Sequence, residues 1–104
     1  GAGGLCVPLN RSATWIDLLK ACKIPVVLVA RTGLGTINHS LLTLDRLKLE
    51  KIACVGIVFC GPENADNVRT VSEMSGARVL GSFEFKSRED FETVDPEGVL
   101  TSYL

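Results

Sequence analysis

The sequence predicts an α/β fold: a mostly parallel sheet flanked by helices. Three observations carry that expectation. Two apolar, β-branched runs, Val26 to Ala30 and Ile52 to Phe59, lack polar alternation, the pattern of strands covered on both faces. Segments of helical periodicity stand before, between and after them. The first run passes into the next helix through a glycine turn, Gly33-Leu34-Gly35. The order helix, strand, helix, strand, helix, strand is what right-handed crossovers turn into a parallel sheet.

Each element has its own local cause. Gly1 to Asn10 reads as a glycine-rich loop with a short extended piece at Leu5 to Leu9. Thr14 and Asp17 have capping-box spacing, which starts a helix from about Trp15 to Lys23 with Ile16, Leu19 and Ala21 to Cys22 on its apolar side. Pro25 ends it, and Val26 to Ala30 follows as a central parallel strand. Beyond the glycine turn, Ile37, Leu41 and Leu44 share one helical stripe with Leu47 nearby, while Asp45, Arg46, Lys48 and Glu50 take the outer side. Ile52 to Phe59 is the next buried strand. A turn-rich loop then offers Asn64 or Asp66 as the cap of a helix running to about Ser75, with Gly76 as its stop. Arg78 to Phe83 is a short strand, and the tail after it is polar and then weakly helical.

The 104 residues suffice for one domain, 1–104, with a single core. A net charge of -1, from 11 basic and 12 acidic residues, leaves no electrostatic footprint for nucleic acid or an anionic membrane. No apolar run approaches the roughly 20 residues of a membrane span. The first ten residues lack the charged and apolar regions of a signal peptide. The four cysteines, Cys6, Cys22, Cys54 and Cys60, form no C-x-x-C pair, so reduced, buried thiols in a cytoplasmic protein are expected. Gly1 to Gly4 is turn chemistry with no strand before it, so the chain is expected to be the second half of something longer.

In a parallel sheet ligands gather at the carboxyl ends of strands, where Gly33 to Gly35 belongs by direct reading and Gly1 to Gly4 belongs if a strand precedes it. The helix start behind Gly35 presents unpaired N–H groups and partial positive charge, suited to a carboxylate or phosphate. Thr36 and Asn38 add side-chain donors. Spacing alone favours a plainer reading, a strand-to-helix turn with Thr36 as cap. The turn is neither a Walker A sequence nor G-x-G-x-x-G. His39, the only histidine, is more often a structural hydrogen-bonding group at such a position than a base. No Ser/His/Asp constellation and no metal cluster is evident, so no catalytic residue and no metal ligand is assigned in this chain.

Taken together, "GAGG", "VPL", "IPVVLVAR", "GLGTINHSLLTL" and "ACVGIVF" resemble the dethiobiotin synthetase family over nearly the whole chain. The "GLGTINH" block is the specific part. The resemblance implies a P-loop NTPase-like sheet, of which this chain would be the C-terminal half. It implies an ATP- and Mg2+-dependent enzyme acting on 7,8-diaminopelargonate and CO2, as a homodimer in the cytoplasm. By the same resemblance, Gly1, Ala2 and Gly3 lie beside the triphosphate. Leu34, Gly35, Thr36, Ile37 and Asn38 hold the substrate carboxylate across the dimer interface. Cys60 and Gly61, where the family often has an asparagine that reads adenine, and Ser82, Phe83 and Glu84 line the nucleotide side. The alternative is a non-catalytic regulatory relative, for which Cys60 and Gly61 would mark a lost base reader.

Overall fold

The structure is a computed structural model that describes residues 3–84. Gly1, Ala2 and the polar tail therefore lie outside the described residues. The elements are α1 (Trp15–Cys22), β1 (Val26–Arg31), α2 (Thr36–Leu49), β2 (Cys54–Cys60), α3 (Ala65–Ser75) and β3 (Val79–Phe83). Order and type are those the sequence predicts. The three strands are parallel in the order β1-β2-β3.

The entry into the fold is set by hydrogen bonds. The Asp17 carboxylate accepts from the Thr14 N–H at 2.8 Å and from the Thr14 hydroxyl at 3.1 Å. The preceding loop folds back, so that Trp15 N–H reaches the Val7 carbonyl at 3.1 Å and Ile16 N–H the Leu5 carbonyl at 3.0 Å. These bonds satisfy donors that a helix start leaves open. α1 ends at Cys22, one residue earlier than the sequence pattern suggests, with Lys23 as its C-cap in the left-handed region. Its Lys20 forms an ion pair of 2.9 Å with Glu50 at the end of α2. α3 is capped by Asn64, whose side chain accepts from the Asn67 N–H at 3.1 Å, and ends at Gly76.

The core lies between the sheet and two helices. Ala30, Ile57, Phe59 and Val71 are buried together, with Leu28, Ile37, Leu44, Val68 and Val79 packed around them. α2 and α3 thus cover one face. On β1, Leu28 and Ala30 belong to that face, whereas Val27 and Val29 are 48% and 64% exposed. Val27 pairs with Gly56, and a Cβ added at Gly56 would lie 2.7 Å from the Leu80 Cγ, so the second face also carries Leu80. Among the described residues β1 is an edge strand and β2 the central one. The sequence reads β1 as a central strand, and the described residues pair it on one side, with β2.

The cysteine expectation also changes. All four thiols are free, but Cys6 and Cys22 are exposed and Cys54 and Cys60 half-buried. Cys6 lies in the opening loop and Cys22 on the last turn of α1, where apolar sequence neighbours do not cover them. No helix among the described residues is long and apolar enough to cross a membrane.

The attachment of α1 is pH-dependent. The bonds from Thr14, the backbone N–H foremost, hold the Asp17 carboxyl below its ordinary 3.8. The Lys20 ammonium, and then Arg46, hold the Glu50 carboxyl below 4.5. Both folded values are depressed, so this stabilisation is present above the unfolded values and is lost as pH falls through the folded ones. Acidification below 4.5 should loosen α1 before the sheet. The emission of Trp15, the only tryptophan, should shift to the red while the far-ultraviolet strand signal persists. Simultaneous loss of both signals would refute this order.

Candidate functional site at the carboxyl edge of the sheet

Parallel pairing brings the strand ends together: Arg31 is in register with Cys60, and Cys60 with Phe83. Two turns leave this edge, Thr32 to Gly35 after β1 and Gly61 to Asn64 after β2, and Glu84 follows β3. Crevices outside such an edge are where open α/β sheets bind ligands.

The two turns and the end of β3 are knit to one another. Gly61 N–H donates to the Phe83 carbonyl at 2.9 Å. Gly61 has φ of 140°, and any Cβ there would run into the Thr32 hydroxyl. Thr32 is 2% exposed, a polar side chain closed beneath the second turn. Its carbonyl accepts from Asn67 Nδ2 at 2.9 Å, 35 residues along the chain.

The turn after β1 leads directly into α2. Gly35 is the N-cap with φ of 94°, and it makes no side-chain cap bond. Thr36 is not the cap. Its side chain is buried, with its hydroxyl 3.2 Å from the Ser40 hydroxyl, and its N–H donates to the Gly33 carbonyl at 3.2 Å. Ile37 packs on the core, while Leu34 and Asn38 are exposed. The first bond of the helix runs from His39 N–H to the Gly35 carbonyl at 3.0 Å. No protein acceptor among the described residues meets the N–H groups of Ile37 and Asn38. An anion at this point would be met by two amides, the helix dipole and the Asn38 carboxamide.

The first glycine loop leans on the same helix. A Cβ at Gly4 would lie 3.3 Å from His39 Nε2, so Gly3 and Gly4 run beside the early turns of α2 and His39 packs against them. On the opposite side, Ser82 is exposed and lines a cavity of about 450 Å3 with Glu63, Asn64, Val68 and Val79. Burial pushes the Cys60 thiol above its ordinary 9.0, so at neutral pH it is an uncharged group at the strand end. The structure therefore gathers Cys60, Gly61, Phe83 and Glu84 along one edge with Ser82 beside them, and Leu34 to Asn38 at its neighbour. Gly1 and Ala2 lie outside the described residues. Sequence reasoning missed Thr32 and Asn67. Their signal was faint, a threonine directly after a strand and an asparagine on a helix's first turn.

No group of three His, Cys, Asp or Glu side chains that could hold a metal ion occurs among the described residues. A family model described as an AAA domain matches residues 1–93. A curated relative named ATP-dependent dethiobiotin synthetase BioD, from Nitrobacter hamburgensis, is 53% identical over 81 residues, which are 78% of this chain and 38% of that protein. Its namesake from Rhodopseudomonas palustris is 52% identical over the same shares. A third of that name, from Paramagnetospirillum magneticum, is 43% identical over 84 residues, 81% of this chain and 41% of the relative. The chain thus spans about two fifths of the length of these relatives.

The Gly61 contact makes a direct prediction. Gly61→Ala should destabilise the protein by about 1–3 kcal/mol, from backbone strain plus the collision with Thr32. Thr32→Ala in the same chain should recover part of that loss, measured by urea unfolding of both single variants and the double variant. Strict additivity of the two substitutions would show that the contact is not felt.

Proposed function

Because this chain belongs to the AAA domain family and shares its P-loop NTPase-like parallel sheet, we propose that it is the C-terminal part of a dethiobiotin synthetase. The observation that carries the reading is the start of α2. A glycine turn delivers two amides with no protein acceptor among the described residues, and an exposed asparagine, to the carboxyl edge, within the block that most resembles the synthetases. The names of the curated relatives support the same activity.

On this reading the substrates are 7,8-diaminopelargonate, CO2 and ATP. One amine adds to CO2 and loses a proton, giving a carbamate. A carbamate oxygen attacks the γ-phosphorus, the bond to the bridging oxygen breaks, and ADP leaves. The second amine then attacks the carbonyl carbon, the ureido ring closes, and phosphate departs. The residues of this chain bind and orient. Ile37 and Asn38 N–H and the Asn38 side chain hold the substrate's distant carboxylate, which fixes the amines relative to the nucleotide. The Gly61 and Ser82 to Glu84 side borders the nucleotide, and the Glu63–Ser82 cavity offers room near the base.

The chain carries no G-x-x-x-x-G-K-[ST] sequence, so contacts to the phosphates beyond the Gly1 to Gly3 loop fall to residues outside it. Mg2+ accompanies ATP in such chemistry by neutralising phosphate charge, and the described residues provide no cluster for it. The carboxylate clamp would act across a homodimer interface, in the cytoplasm. Cys60 and Gly61 in place of an adenine-reading asparagine favour a second reading, a regulatory relative that binds nucleotide without turnover.

The full-length protein should form dethiobiotin from the three substrates. Asn38→Ala should raise the KM for diaminopelargonate, a loss on the order of 1–3 kcal/mol for an unpaired charged partner, and leave that for ATP nearly unchanged. Equal effects on both substrates would remove the clamp. Nucleotide binding without product would favour the regulatory reading.

A further inference from the structure

We propose that this site holds its nucleoside triphosphate without reading the base, so that GTP, CTP and UTP are accepted beside ATP, an inference that rests on the synthetase reading above. Cys60 is the residue that leaves the base unread. A base is read by a donor or acceptor that is free to face it, and the end of β2 has two residues to offer. Gly61 has no side chain and no room for one: its φ is 140°, and a Cβ there would run into the Thr32 hydroxyl. Its N–H is already committed, donating to the Phe83 carbonyl at 2.9 Å. Cys60 presents a thiol, which is a weak donor and a weak acceptor. Burial keeps that thiol in its uncharged form at neutral pH.

The neighbours do not make up the difference. On the β2–β3 ladder Cys60 is in register with Phe83, and Phe59 with Ser82. Successive side chains of a strand project from opposite faces. The side chain level with the thiol is therefore the half-buried Phe83 ring. The Ser82 hydroxyl leaves from the other face, where it borders the cavity with Glu63 and Asn64. Among the described residues, sulfur and hydrocarbon are thus what the end of β2 and its partner on β3 turn toward a base. A site built on buried hydrogen bonds rejects the wrong ligand by about ten thousand- to a hundred thousandfold, because its own polar groups are then left unpaired. Cys60 and Gly61 leave no strong group to be unpaired, whichever base arrives. What remains is apolar contact, and every base has a π-face to offer it. Shape and apolar contact alone separate ligands by about a hundredfold.

The test uses the full-length protein, with kcat/KM for dethiobiotin formation measured for ATP, GTP, CTP and UTP in turn. The values should lie within about a hundredfold of one another. Cys60→Asn puts a carboxamide at the end of β2, a group that pairs with adenine N6 and N7, and should shift the ratios toward ATP by about tenfold or more. Should Cys60→Asn fail to fold, Cys60→Ser keeps the size of the thiol, supplies a full-strength donor and acceptor, and should shift the ratios by about threefold or more. A wild-type preference for ATP beyond about a hundredfold would overturn the proposal. So would variants whose ratios match wild type, even if all the reactions slow together, because that is the mark of a merely structural position. Binding is read separately, by competition of each triphosphate against a fluorescent ATP analogue. Comparable binding of all of them to a wild-type protein that makes no dethiobiotin would overturn the synthetase reading and leave the unread base standing.

Discussion

The carboxyl edge exists because β2 is held against two helices by Ile57 and Phe59. Both are 0% exposed, enclosed with Val71 and Ala30 and flanked by Leu28 and Val68. Burying side chains of this size contributes about 1.5–3 kcal/mol each, far more than any exposed ion pair on α1 or α3. Among the described residues β2 is also the one strand bonded on both sides, so it sets the register of β1 and β3 together. Arg31, Cys60 and Phe83 come level with one another for that reason, and the turns that follow them are brought to one place.

Much of this was legible in the residues. The alternation of elements follows from local signals: Thr14 with Asp17, the two β-branched runs, Asn64 before an amphipathic stretch, and Gly76 after it. Each has a mechanism that acts within a few residues, so sequence suffices. The position of β1 in the sheet is a different kind of property. Val26 to Ala30 would read alike as a central strand or as an edge, because pairing partners lie far along the chain. The cysteines mislead for a related reason. Apolar neighbours in sequence do not determine which side of a helix or loop a thiol occupies.

At the site, the glycine turn and the helix start behind it were legible as chemistry, and the resemblance gave them a ligand. The role of Thr36 was not. Its hydroxyl turns inward to Ser40, a choice made by helix phase relative to the core, while the cap passes to the glycine before it. Thr32 and Asn67 were invisible because their meaning is the bond between them. Nothing in either neighbourhood announces a partner 35 positions away. Such tertiary bonds tie the site together, whereas the turns they join can be read one at a time.

Gly56 shows what this packing means for variation in the chain. Val27 stands beside it on β1, and a Cβ there would come within 2.6 Å of the Arg78 carbonyl oxygen and 2.7 Å of Leu80. The first obstacle is main chain, which cannot swing aside as a side-chain tip would. Every single-base change that replaces a glycine adds a Cβ, so mutation has no small step to take at this position. Its neighbours on the same face, Val27 and Val29, stand apart from the buried cluster of Ile57, Phe59 and Val71. Among the described residues, room for a larger side chain is therefore uneven across one sheet face: Val27 and Val29 are exposed, and Gly56 has none to give.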